Sequence, residues 1–214
     1  KLFDLQMRYE FGNEADTRYS YAANYLDLLG TNKISAEQIK QQFYKLACNF
    51  GINVSDKNIT VSLNGLAENM PQAIALAENV LKNAKTDKTA WKNFVAMVLK
   101  NREDTKKEQK SNFNAVKAYG IYGTYNNVLN DLSTEQLQNT NPADMVALIK
   151  KLSTYKHTVL YYGPATEKQL NTLISKEHKI ATKLADVPVN KPYMEQQTPK
   201  NEILLAPYDA KNIY

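Results

Sequence analysis

The chain has 214 residues, of which 43% are hydrophobic and 23% charged; that is the mixture of an ordinary folded protein with a sizeable core, and it excludes wholesale disorder. Lys and Arg total 27 against 22 acidic residues, a formal charge of +5. The densest basic stretch, Lys100 to Lys110, interleaves Arg102, Lys106 and Lys107 with Glu103, Asp104 and Glu108, which reads as a solvated helix face and not as a nucleic-acid stripe, where one sign would line one face. No apolar run approaches the roughly 20 residues that span a bilayer, and the lone Cys48 cannot form an internal disulfide.

Phe3, Leu5, Met7, Tyr9 and Phe11 alternate with Asp4, Gln6, Arg8 and Glu10. Successive side chains of a strand point to opposite faces, so this is a half-buried strand ending at Gly12-Asn13, with the first set in the core. The opening Lys1-Leu2-Phe3 runs straight into this pattern with neither an initiator Met nor a signal peptide, so the natural start is expected upstream. A helix follows with Tyr21, Tyr25, Leu28 and Leu29 at helical spacing, stopping at Gly30. Ser35 and Gln38 form a capping box for the next helix. Its apolar face is predicted to run through Ile39, Phe43, Leu46 and Phe50, with Cys48 as a small buried hydrophobe on it and Gly51 as the stop. Ile52 and Val54, then Ile59, Val61 and Leu63, flank Asp56-Lys57-Asn58 as a hairpin.

Pro71 opens a helix through Ile74, Leu76, Val80 and Leu81. A break at Thr86-Asp87 leads to another, with Trp91, Phe94, Val95, Val98 and Leu99. Ser111 is read as the start of a helix that ends in the Tyr/Gly-rich stretch Tyr119 to Gly123. Ser133 with Gln136, and Thr166 with Gln169, repeat the capping box; Asn141-Pro142 starts a helix through Met145, Leu148 and Ile149; Thr158 to Tyr162 is a strand closed by Gly163-Pro164. After Ala181, Pro188, Pro192 and Pro199 in a polar stretch predict a linker, and Ile203-Leu204-Leu205 with Tyr208 predict a new strand. The domain reading is therefore 1–180 as one α+β domain, a mainly antiparallel sheet with helices on one face, then 181–201 as linker and 202–214 as a further first strand.

Candidate chemistry is sparse. His157 and His178 have no ligand partner three or four residues away and read as surface residues. There is no Gly-x-Ser-x-Gly turn, no local base beside Cys48, and no glycine-rich phosphate loop. Glu14 and Asp16 form a carboxylate pair that a helix N-terminus explains by its dipole alone. Tyr is abundant, at 14 residues, and Tyr119, Tyr122 and Tyr125 are the candidate peptide-contacting group, with burial of phenols at helix ends as the alternative.

The order of these features resembles the repeat of insulinase-like (M16) zinc metallopeptidases over roughly residues 1 to 178. The resemblance rests most sharply on Leu26 to Thr31, Phe50-Gly51, the phrase Leu66-Ala67-Glu68-Asn69 and Leu160 to Pro164, and it implies one repeat of the LuxS/MPP-like metallohydrolase fold. In catalytic repeats of that family, the helix before Gly-Thr carries His-x-x-Glu-His, the inverted zinc motif. Aligned on Gly30-Thr31, the positions here are Tyr21, Asn24 and Tyr25, so the resemblance implies a non-catalytic repeat with no catalytic or metal residue. A third family ligand, a Glu on a later helix, corresponds at best to Glu103. The implied role is a wall of the substrate chamber that contacts unfolded peptides, with zinc held by a catalytic repeat of the parent protein. The implied partners are other such repeats, in the same polypeptide or a homologous subunit, together with the peptide substrate. A bacterial periplasmic or cell-envelope location is also implied. The alternative is a binding or assembly subunit of the same fold whose parent has no peptidase activity. The isolated C-terminal strand is expected to add to a sheet edge or to self-associate.

Overall fold

A computed structural model describes residues 1–178 and 180–206. The opening alternation folds as read: in β1 (Leu2–Tyr9), Phe3, Leu5, Met7 and Tyr9 are buried, as is Phe11 beyond the strand, while Arg8 is exposed. β2 (Cys48–Val54) and β3 (Ile59–Leu66) form a hairpin with Val54 opposite Ile59. β1 lies antiparallel between β3, with Leu5 opposite Leu63 and Met7 opposite Val61, and β4 (Thr158–Tyr162), with Met7 opposite Val159. The sheet order is β2-β3-β1-β4 and every pair is antiparallel. Because the side-chain period is 2, this register sends Phe3, Leu5, Met7, Tyr9, Ile59, Val61 and Leu63 to one face, which is why all of them are buried together. Each such side chain contributes on the order of 1.5–3 kcal/mol by leaving water.

Internal packing divides the chain into two compact units. Among the described residues, one comprises 1–90 and 141–190, and the other 91–140 with 191–206. The first holds the sheet, α1 (Arg18–Leu26), α2 (Ala36–Lys45) and α3 (Met70–Asn83). α4 (Lys88–Thr105) crosses from the first unit to the second within its first turn, and α5 (Gln109–Tyr122) and α6 (Thr134–Asn139) belong to the second. α7 (Pro142–Lys151) and α8 (Glu167–Glu177) return to the first. The result is α+β, with α1, α2, α3 and α7 serving the buried side of the sheet. All three predicted capping boxes form, at Ser35, Ser133 and Thr166. An aromatic cluster locks the end of β1 in place: Phe11 meets Tyr19 edge-on at 5.0 Å and Tyr155 at 5.4 Å.

Three local expectations are corrected. The second helix stops at Lys45, six residues before Gly51, because Ala47 turns the chain with φ of +47°, a conformation that carries no sequence punctuation when a non-glycine residue adopts it. Cys48 and Phe50 therefore belong to β2, not to a helix face, although Cys48 is buried. Phe50 stacks on Phe43 at 5.4 Å, so the apolar pairing that looked like helical periodicity is a helix-to-strand contact. The fifth helix starts at Gln109, two residues before Ser111, and Leu28 points outward at 41% exposure.

From 181 to 206 there is no helix or named strand among the described residues. The segment is nonetheless held. Ala185 exchanges backbone hydrogen bonds with Thr154 and Lys156 (2.8 and 2.9 Å), and the Asn190 amide accepts from Gly12 N–H at 3.1 Å while donating to the Lys57 carbonyl at 3.1 Å. Ile203-Leu204-Leu205 form no strand, and Pro207 to Tyr214, including Tyr208, lie outside the described residues. No described helix is long and apolar enough to cross a membrane.

Candidate functional site

The three positions matched to the zinc motif sit on α1, with half-buried Tyr21 one turn before Asn24 and Tyr25. Asn24 is exposed and its amide donates to the Ser20 carbonyl at 2.9 Å, a bond within its own helix. Tyr25 is fully buried. Its hydroxyl donates to the Asp87 carbonyl at 2.7 Å and accepts from the Asp87 N–H at 3.0 Å, so it ties α1 to the turn between α3 and α4. Burial pushes its phenol pKa up, against a smaller pull downward from the Asp87 bond. Zinc takes imidazole, thiolate or carboxylate donors; a neutral phenol already engaged on both sides, a carboxamide and a second phenol do not fit that ion. Among the described residues no three His, Cys, Asp or Glu side chains converge as a metal-binding group. Glu103 is an exposed residue of α4, ion-paired with Lys106 at 2.8 Å, and that hydrogen bond and charge lower its pKa. Of the carboxylate pair before α1, Asp16 engages Arg18 at 2.7 Å while Glu14 is buried. Burial raises the pKa of the Cys48 thiol, which keeps it protonated and a poor nucleophile.

The tyrosine group of the second unit is built differently. α5 ends at Gly123, whose φ of +71° strains any residue with a Cβ; such a Cβ would also lie 2.2 Å from the Gln196 amide nitrogen. Buried Asn126 fixes the turn that follows, donating to the Gly123 carbonyl at 2.7 Å and accepting from the N–H groups of Val128 and Leu129. Tyr122, the last residue of α5, and Tyr125, just past Gly123, thereby form an aromatic shelf at the helix end, one turn beyond Tyr119. Tyr193, which sequence reasoning passed over as part of a linker, completes it: its ring lies 5.0 Å from Tyr125 and 6.5 Å from Tyr122, and its hydroxyl accepts from Asn130 at 2.9 Å. The extended stretch from Lys191 to Gln196 runs along the shelf, with Tyr125 donating to the Lys191 carbonyl at 3.0 Å and Gln196 N–H donating to the Ile121 carbonyl at 2.7 Å. Beside it, a depression of 430 Å³ is lined by Tyr119, Gly123, Gln196 and Leu204.

The two histidines are not surface residues. His178, at the end of α8, is 8% exposed. Its Nε2 lies 2.9 Å from Nε2 of half-buried His157, and its Nδ1 lies 2.6 Å from Oε1 of Glu78 on α3. His157 Nδ1 meets the Tyr155 carbonyl at 2.9 Å, and Tyr9 packs on the His157 ring at 4.9 Å. Burial lowers the His157 pKa, and burial followed by the Glu78 charge raises that of Tyr9. The residues are 21 and 100 positions apart in sequence, so no local spacing announces the cluster.

No family model matches this chain, and no curated protein matches it. Solved structures do. The periplasmic protease PqqL from Escherichia coli superposes with a TM-score of 0.71 at 15% identity, over 91% of this chain and 22% of that one. FusC, a ferredoxin protease solved in complex with Arabidopsis ferredoxin, gives 0.75 at 11% identity, over 92% and 22%. A peptidase M16 inactive domain from Pseudomonas fluorescens gives 0.68 at 14% identity, over 88% and 48%. The fold is thus that of M16-type peptidase repeats, and the chain spans half or less of each of these neighbours.

Proposed function

We propose that this chain is a non-catalytic module of a multi-repeat, zinc-dependent peptidase of the M16 type, forming part of the wall that encloses unfolded peptide substrates. The observation that carries the reading is Tyr25. On an M16-type fold, the position where a catalytic repeat places a zinc-binding histidine is filled by a buried phenol bonded twice to Asp87. General-base catalysis needs a titratable group within reach of the water it activates, and neutral Asn24 is not one.

The tyrosine shelf supports the second half of the reading. Aromatic side chains give large contact area at low entropic cost, and this shelf already accommodates an extended segment of its own chain. The peptidase chemistry, the zinc and the companion repeats then belong to the parent protein, in line with the shares of PqqL and FusC that the chain spans. A periplasmic location follows the description of PqqL. The test is a quenched, unfolded peptide presented to the purified chain. The expected outcome is saturable binding without turnover; turnover that survives chelator and further purification contradicts the reading.

A further inference from the structure

The buried chain Tyr155–His157–His178–Glu78 has a proton arrangement set by its partners. The Tyr155 carbonyl only accepts, so His157 Nδ1 carries a hydrogen and, in the neutral ring, its Nε2 must accept. His178 Nε2 therefore donates across the 2.9 Å gap. The 2.6 Å contact from His178 Nδ1 to Glu78 then holds one shared proton. All four ring nitrogens and Glu78 Oε1 are engaged along this path, and the pair His178–Glu78 is neutral as a whole.

A second proton taken up by the two rings has one place to go, His157 Nε2. There it would point an N–H at the N–H of His178, break the link between the rings, and leave a charge in a half-buried site. Lys82 of α3 and Lys150 of α7 line the cavity beside His178, and Lys151 of α7 lies over the Tyr155 ring at 5.5 Å; all three oppose added positive charge. Among the described residues Glu78 is the one carboxylate bonded to the rings, and burial keeps the Tyr9 phenol of β1 neutral. On α8 itself, Lys176 and Glu177 pair with each other at 3.3 Å.

The geometry points to an acid-sensitive clasp: one proton shared in the Glu78–His178–His157 chain fastens the end of α8 to α3 and to the segment leading into β4, and a second proton, taken up by His157, releases α8. This inference is independent of the proposed function. A 2.9 Å separation of two imidazole nitrogens suits a bridging proton. A zinc ion, at about 2.0–2.1 Å from each nitrogen in tetrahedral array, would set them farther apart.

The test is amide hydrogen exchange on the full chain between about pH 7.5 and about pH 5.5, the window in which histidine titrates, corrected for intrinsic rates. Protection across α8 should fall, by at most roughly tenfold per pH unit for a one-proton step, while β1 stays protected. In His157→Phe the ring still packs on Tyr9 but takes no proton, so the fall should vanish; in Glu78→Gln, α8 should be loosened already at the higher pH. Unchanged α8 protection in the native chain, or a full fall retained in His157→Phe, overturns the clasp. So does a rise in α8 protection on adding zinc chloride that His157→Phe abolishes, since the pair would then be metal ligands. Should His157→Phe not fold, the ring proton shifts of the native chain decide: His157 protonation that tracks α8 exchange upholds the clasp, and two independent titrations reject it.

Discussion

In the sheet-bearing unit Tyr9, Tyr19 and Tyr25 are each at most 2% exposed, whereas in the helical unit Tyr119 is 45% and Tyr125 38% exposed. The same side chain does two jobs. These three phenols of the first unit, unlike its exposed Tyr44 and Tyr162, are large core hydrophobes with one polar tip to satisfy: Tyr25 satisfies it on Asp87, and Tyr19 on Tyr155. In the second, the rings sit beside a glycine-ended helix and hold extended chain. Abundance of tyrosine therefore carries no functional meaning by itself; its placement relative to a sheet face or a helix end does.

Substitutions that exploit this contrast should separate the two groups by size of effect. Phe11→Ala, at the centre of the buried aromatic cluster, should cost about 3–5 kcal/mol in urea unfolding, as for other fully buried phenylalanines. Tyr25→Phe should cost about 1 kcal/mol, because it removes the hydroxyl that bonds both backbone groups of Asp87, an exposed residue whose freed groups water can then reach. Mild acidification, in the range where histidine titrates, acts on His157 in the first unit. Burial holds the His157 pKa below 6.5 in the fold, so the unfolded chain takes the proton more readily. That contribution to stability is complete above 6.5 and is lost as pH falls below it, to be followed as a drop in urea midpoint that His157→Phe removes. Tyr119→Ala should change stability by no more than about 0.5 kcal/mol, yet weaken binding of an unfolded peptide. A Tyr119→Ala chain as destabilised as Tyr25→Phe would erase the distinction between core and shelf.

Periodic and capping signals were readable without a structure. The alternation from Phe3 to Phe11 determines which face of β1 is buried, and Ser35, Ser133 and Thr166 mark true helix starts, since both are local rules in which one residue answers a neighbour two or three positions away. What stayed hidden is non-local. The end of α2 rests on a positive φ at Ala47, which alanine does not advertise. The histidine clasp joins residues from α3, α8 and the approach to β4, and Tyr193 sits in a proline-bearing stretch whose partners are some 60 residues earlier. The motif positions Tyr21, Asn24 and Tyr25 were locatable by resemblance, but the commitment of Tyr25 to Asp87 was not.

The central claim, that the motif helix of this module has been turned over to structure, is tested most directly by measuring metal content. The chain, produced without an affinity tag and dialysed against buffered zinc, should carry well below one zinc per molecule by elemental analysis, and its Tyr25→Phe variant should be unchanged in metal content while losing stability. One zinc per chain, lost on substitution of Tyr21, Asn24 or Tyr25, would contradict the account.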